Sequence, residues 1–202
     1  MPRLLIATTN RDKVREIQPI LTGIRYELVT LAGYPSVVAP EETGQTFEEN
    51  ARAKALYYAA ATGELAVAED SGFEIDALGG APGVLSARWG GADASYRERF
   101  ARLYEALRAK GARDSPARFV CAIALVGHGE VLFEARGVVE GRMAREPKGD
   151  GGFGYDPVFF YPPFGTTLAE ASDRKSEVSH RGHAFRALRG FLLQPRISPS
   201  ER

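Results

Sequence analysis

An α/β fold built on a mixed β-sheet is what the sequence predicts, and three observations carry that expectation. Apolar runs of strand character, such as "RLLIAT" and "YELVTL", alternate with segments whose apolar residues recur at helical spacing, the pattern of strands joined through helices. A later stretch, "ARFVCAIALVGHGEVLFEARGVVEGRM", contains two strand-like runs parted only by "GHGE", which reads as an antiparallel hairpin inserted into that alternation. With 44% hydrophobic and 26% charged residues, a chain of 202 residues has the balance of an ordinary globular protein able to bury a core.

Each element has a local reason. "RLLIAT" is a buried-strand run, and in "NRDKVREIQPIL" Val14, Ile17 and Leu21 fall on one helical face, with Pro19 expected to kink that helix. "YELVTL" is a second strand, whereas "GYPSVVAPEETG" carries the Gly, Pro and Thr of a loop. "TFEENARAKALYYAAATG" is the clearest helix: Thr46 and Glu49 form a capping box, Ala and Leu supply the propensity, and Gly63 ends it. "LAVAE" is a strand expected to stop at the adjacent carboxylates Glu69 and Asp70 and to turn at Ser71-Gly72. "SYRERFARLYEALRAKG" is a long helix closed by Gly111, and "SHRGHAFRALRGFLL" is the last helix. No repeat, low-complexity block or flexible linker divides the chain, so residues 1–194 are expected to form a single domain and residues 195–202 a loose tail.

Bulk charge narrows the function classes. Lys plus Arg and Asp plus Glu each number 26, so no overall field draws the protein to nucleic acid or membrane, and any anionic partner must be met locally. The apolar runs are too short to span a bilayer, and "MPRLLIATTN" reaches Asn10 before a signal-peptide core can form, so a cytoplasmic protein is expected. Cys121, the one cysteine, cannot form an internal disulfide and reads as a small buried hydrophobe among strand residues. Trp89, in "SARWGG", reads as a packing anchor.

Four stretches resist explanation as core or turn. In "TTNRDK", Thr8, Thr9, Asn10 and Lys13 lie between the end of a strand and the start of a helix, where backbone N–H groups, the helix dipole and the lysine suit a phosphate. The alternative is a polar helix cap with a solvated lysine; a Walker loop is absent. Glu69 and Asp70, with Glu41 or Glu42 from the preceding loop, can gather hard oxygen ligands suited to magnesium, unless one of the pair faces solvent. In "KGDGGFGYDP", the glycines allow close backbone approach to a ligand, Phe153 and Tyr155 offer faces on which a base can stack, and Asp156 can accept hydrogen bonds from a sugar or base. A glycine-rich hairpin with core aromatics competes with that reading. In "DRKSEVSHRGHAFRAL", Lys175, His180 and Arg181 gather donors at a helix start where Ser179 is the expected N-cap; a solvated basic helix start is the alternative.

Six strings in register, "TTNRDK", "TFEENARAKA", "EDSG", "GGAPGVLSARW", "GGFGYDPVF" and "KSEVSHRG", resemble the HAM1, or inosine triphosphate pyrophosphatase, family of non-canonical purine nucleotide hydrolases. The resemblance runs from about Leu4 to Leu193. It implies an elongated mixed sheet flanked by helices, in two lobes with the active site in the cleft between them. It also implies magnesium-dependent hydrolysis of inosine, deoxyinosine and xanthosine triphosphates to the monophosphate and pyrophosphate, by a homodimer. Residue by residue, it puts Thr8, Thr9, Asn10, Arg11, Asp12 and Lys13 on the triphosphate, Asp70 at the catalytic and metal-binding position, Ser71 beside the substrate and Glu41 on the metal, with Glu42 the one-residue alternative. Phe153, Gly154, Tyr155 and Asp156 would hold base and sugar, and Lys175, His180 and Arg181 would read the base. Two departures stand out: Glu69-Asp70 replaces the two aspartates of many bacterial members, and "ASDRKSE" replaces the usual acidic "EEKN" pattern. A nucleotide-binding protein without turnover, and a phosphatase releasing orthophosphate, are the rival readings of the same residues.

Overall fold

The computed structural model describes residues 1–91, 93–112 and 114–194; the expected tail over 195–202 lies outside the described residues. The sheet begins with parallel pairing. Strand β1 (Arg3–Ile6) lies between β2 (Glu27–Thr30) and β3 (Leu65–Ile75) and is parallel to both. Parallel neighbours need crossovers, and helices α1 (Arg11–Ile20) and α2 (Phe47–Thr62) lie in them. Beyond β3 the pairing turns antiparallel through β5 (Pro116–Gly127), β6 (Glu130–Met143), β7 (Phe159–Tyr161) and β8 (Thr166–Thr167), while the short β4 (Pro82–Gly83) attaches to β3. The result is an 8-stranded mixed sheet in the order β2-β1-β3-β5-β6-β7-β8. Among the described residues, no helix is long and apolar enough to cross a membrane.

Local chemistry accounts for the ends. The Thr46–Glu49 capping box starts α2, and Gly63, left-handed at φ 73°, stops it. A second box, Ser95 with Glu98, starts α3 (Tyr96–Ala109). The β5–β6 hairpin turns on His128 (φ 54°) and Gly129 (φ 79°), two successive left-handed residues of the kind that match strand twist. Ser179 lies between the short α4 (Lys175–Val178) and α5 (His180–Leu193), and its Oγ accepts a hydrogen bond from Gly182 N at 2.8 Å.

One expectation fails here, with consequences for the site. β3 does not stop at Glu69-Asp70 but continues to Ile75, pairing Ser71 with Cys121, Gly72 with Val120 and Phe73 with Phe119. Gly72 is not a turn residue. A Cβ there would stand 2.5 Å from the Gly83 carbonyl oxygen and 2.6 Å from Ser86 Oγ, so glycine answers a close approach of backbone. Because side chains of a strand alternate, the adjacent acids leave on opposite faces. Glu69 follows Val67 to the face covered by α1 and α5, and Asp70 follows Ala66 and Ala68 to the face covered by α2. A third core cluster joins the far end of β3 to α3 and β7 around Phe73, Leu103, Phe119 and Phe159, and Trp89 packs against it.

Gly137 of β6 sets how closely α5 lies on the sheet. A Cβ at that position would overlap the His180 carbonyl oxygen and come within 2.8 Å of Ala184 N. Both are backbone atoms. Gly137→Ala is therefore expected to destabilise the fold by about 1–3 kcal/mol, the usual range for overpacking, and a thermal melt matching wild type would contradict this packing.

Candidate active site

A cavity of about 300 Å³ opens beside the C-terminal end of β1, bordered by Ala7 and Tyr58 of one core cluster and by Phe119 and Tyr155 of another. The β1–α1 junction contributes Thr8, Thr9, Asn10 and Lys13 to its wall. Arg11 and Asp12 do not line it. Arg11 is exposed, and Asp12 pairs with Arg15 at 3.2 Å along the helix. Asn10 does double duty, since its Oδ1 accepts from Asp12 N at 2.9 Å and Lys13 N at 3.3 Å. Those two amides are thus already engaged in capping α1.

On the α2 face, Glu42 and not Glu41 lines the cavity; Glu41 is exposed in a loop whose sequence has no periodicity to separate the two. Glu42 is ion-paired with Lys54, whose Nζ lies 2.9 Å from Asp70 Oδ1. Asn50 Nδ2 donates to the other oxygen, Oδ2, at 3.0 Å. Asp70 is not itself a wall of the cavity but bonds to Lys54, which is. Burial pushes the Asp70 carboxyl above its ordinary value, against the pull of the Lys54 ammonium. For Glu42, burial acts the same way, but the hydrogen bond and charge of Lys54 outweigh it and hold that carboxyl low.

The opposite face carries a second network. Glu69 lies 2.7 Å from Lys13 Nζ, and it accepts from Arg181 Nε at 2.6 Å, Arg181 Nη2 at 3.1 Å and Cys121 Sγ at 3.1 Å. Burial alone would raise the Glu69 carboxyl, but Arg181 and Lys13 overcome it and hold the group well below the usual carboxylate range. Glu16 of α1 accepts from Arg181 Nη1 and lies 3.0 Å from Lys175 Nζ, which in turn donates to Asp156 Oδ2 at 2.7 Å. Arg181 Nη2 also donates to Ser71 Oγ at 3.1 Å, tying the cavity wall at Ser71 into the same network. Glu69 and Asp70 therefore do not share a ligand. Among the described residues there is no group of three or more His, Cys, Asp or Glu able to hold a metal; the converging acids are the pair Glu42 and Asp70.

The glycine-rich loop divides the roles of its aromatics. Tyr155 stacks on Phe73 at 5.3 Å and donates its hydroxyl to the Ser86 carbonyl at 2.7 Å, so its ring is largely core and anchors the loop. Phe153 is half-buried and lines the cavity beside Gly154, with Lys175 Nζ 4.1 Å from its ring centroid. Gly152, at φ 69°, leaves the space in which Asp156 Oδ2 reaches back to Phe153 N at 2.8 Å.

His180 stacks on Phe119 with centroids 4.9 Å apart, is buried, and has an Nδ1 without a partner. Burial, reinforced by Arg181 and Lys175, pushes its pKa well below the ordinary value, so the folded protein holds a neutral imidazole. Below about pH 6.5 the unfolded chain binds a proton that the fold refuses, so stability falls as pH drops, by up to about 1.4 kcal/mol per pH unit. Urea melts between pH 7 and 5.5 are expected to show this loss in wild type and a shallower one in His180→Gln; parallel pH profiles would contradict it.

Sequence reasoning missed Asn50, Lys54 and Glu16. A signal existed for the first two, because Asn50 and Lys54 lie four apart on α2 and share a face. Glu16 lies one turn beyond Lys13 on α1 in the same way.

The Ham1 family model matches residues 4–191. A dITP/XTP pyrophosphatase of Exiguobacterium sp. is 44% identical over 192 residues, spanning 95% of this chain and 97% of the relative. A dITP/XTP pyrophosphatase of Gloeobacter violaceus is 47% identical over 186 residues, 92% of this chain and 91% of its own. The structure of a HAM1 protein from Coxiella burnetii superposes with a TM-score of 0.88 at 40% identity, over 95% of this chain and 98% of that one. Similarity of this extent, over nearly the whole chain and in both sequence and fold, makes this protein a member of the Ham1 family.

Proposed function

We propose that this protein is a nucleoside-triphosphate pyrophosphatase that removes non-canonical purine nucleotides from the nucleotide pool. It hydrolyses inosine, deoxyinosine and xanthosine triphosphates to the monophosphate and pyrophosphate, with magnesium, as a cytoplasmic homodimer. The observation that carries the reading is the convergence of Lys13, Lys54, Lys175 and Arg181 on one cavity, with the Asp70 carboxyl held behind it by Lys54 and Asn50. The relatives named as dITP/XTP pyrophosphatases support the choice of substrates.

Glu42 and Asp70 suit magnesium. They are hard oxygen donors, few in number as that ion prefers when phosphates complete its shell, and the Lys54 ammonium between them is a cation already standing at the position. Bound there, the ion would draw charge from the phosphate oxygens and the departing pyrophosphate. The chain's own residues do the rest. Lys13 and Lys54 neutralise the triphosphate, and Thr8 and Thr9 offer it hydroxyls. Asp70 orients the attacking water and takes its proton as oxygen bonds to the α-phosphorus; the bond to the β-phosphate oxygen breaks and pyrophosphate leaves.

Phe153 stacks the base, and Lys175 and His180 present hydrogen-bonding nitrogens to its edge. A 6-oxo purine offers an acceptor where adenine offers a donor, and leaving buried donors unpaired costs about 1–3 kcal/mol each. Specificity constants for deoxyinosine, xanthosine and adenosine triphosphates test the reading, with preference for the first two expected to exceed about 100-fold. Equal turnover of adenosine triphosphate would overturn it.

A further inference from the structure

We infer that Lys54 is an internal occupant of the divalent-cation position, which holds Glu42 and Asp70 together in the nucleotide-free protein and makes cation binding conditional on arrival of the triphosphate. The inference rests on the proposed reading of Glu42 and Asp70 as the cation's ligands. The Lys54 side chain is only 12% exposed, and its Nζ is shared between the two carboxylates. Without it, two acids facing one point would repel each other. With it, a divalent ion entering the nucleotide-free site meets a fixed positive charge where its ligands converge.

The geometry also provides a way out. Lys54 lines the cavity, and a lysine stem is long and flexible enough to swing its ammonium onto phosphate oxygens. Asn50 Nδ2 stays on Asp70 Oδ2 when Lys54 leaves, so Asp70 remains oriented. Nucleotide then vacates the position that the cation fills, and each raises the affinity of the other, as thermodynamic linkage requires. A protein built this way avoids holding a bare metal and binds its cation together with the substrate.

Manganese(II) titrated into nucleotide-free protein at pH 7.5, with free ion followed by electron paramagnetic resonance, separates the outcomes without any turnover. Wild type and Lys54→Arg, which keep the charge, are expected to bind weakly, and Lys54→Met and Lys54→Gln at least about 10-fold more tightly, a difference of about 1.4 kcal/mol. Equal affinity in wild type and Lys54→Met, or tight binding by Lys54→Arg, would overturn the inference. Circular dichroism establishes that each variant is folded. Should neither neutral variant fold, wild type alone decides: micromolar retention of manganese by the nucleotide-free protein contradicts the inference, and millimolar or weaker binding supports it. Hydrolysis of inosine triphosphate by wild type, scored separately, tells a failure of the proposed function apart from a failure of this one.

Discussion

Asp70→Asn is expected to lower the turnover of inosine triphosphate at least about 100-fold, the usual loss when a general base or metal-binding group is removed. The substitution is nearly isosteric. Asn50 Nδ2 can still donate to the remaining side-chain oxygen, and the neighbouring Ala68 and Ala122, the latter paired with Asp70 across the sheet, are unchanged, so the fold should persist. What is lost is the charge beside Lys54 and the capacity to accept a proton. Nucleotide binding without divalent ion should survive, because Lys13, Lys175 and Phe153 lie elsewhere in the cavity. Single-turnover rates and equilibrium binding of the same variant check the two halves separately. Near-normal turnover would remove Asp70 from the chemistry.

The second large effect is on stability. Arg181 is fully buried, and its guanidinium is committed to Glu69, Glu16 and Ser71 before any substrate arrives. Among the described residues, Arg181→Ala leaves the buried Glu69 carboxylate ion-paired with Lys13 alone. Removing one partner of a buried pair typically destabilises by about 3–5 kcal/mol. In a protein of this size each kcal/mol shifts the melting temperature by about 2–4 °C, so a drop of roughly 10 °C is expected. The effect is also pH-dependent in a defined direction. Because the fold holds the Glu69 carboxyl below its unfolded value, its ion pairs stabilise above about pH 4.3 and that stabilisation fades as pH falls through the lower folded value. The deficit of Arg181→Ala against wild type should therefore shrink in strong acid. A variant that melts with wild type at pH 7 would show that Glu69 does not need the guanidinium. Arg181 thus holds Glu69 and Glu16 in place from within the cavity wall.

Helix boundaries were legible because their signals are local: Thr46 with Glu49, Ser179 before α5, Gly63 after α2. The run through β3 was not. Ser71-Gly72 has the composition of a turn, and the reason for Gly72 lies in Gly83 and Ser86, brought near by the fold rather than by spacing. For the same reason the adjacency of Glu69 and Asp70 in sequence suggested a shared ligand, whereas strand alternation sends each to its own cations. Tyr155 and Phe153 are alike in the sequence, and only packing against Phe73 separates an anchor from a cavity wall. Lys54 and Glu16 escaped notice because their partners come from other elements, and a charged residue on a helix reads by default as a solvated one.

In the proposed reaction water attacks the α-phosphorus and pyrophosphate leaves. Incubating wild type and magnesium with inosine triphosphate, and resolving the products by anion-exchange chromatography, tests it most directly. Inosine monophosphate and pyrophosphate are expected in equal amounts from the earliest time points; inosine diphosphate with orthophosphate, or bound nucleotide recovered intact, would contradict that reaction.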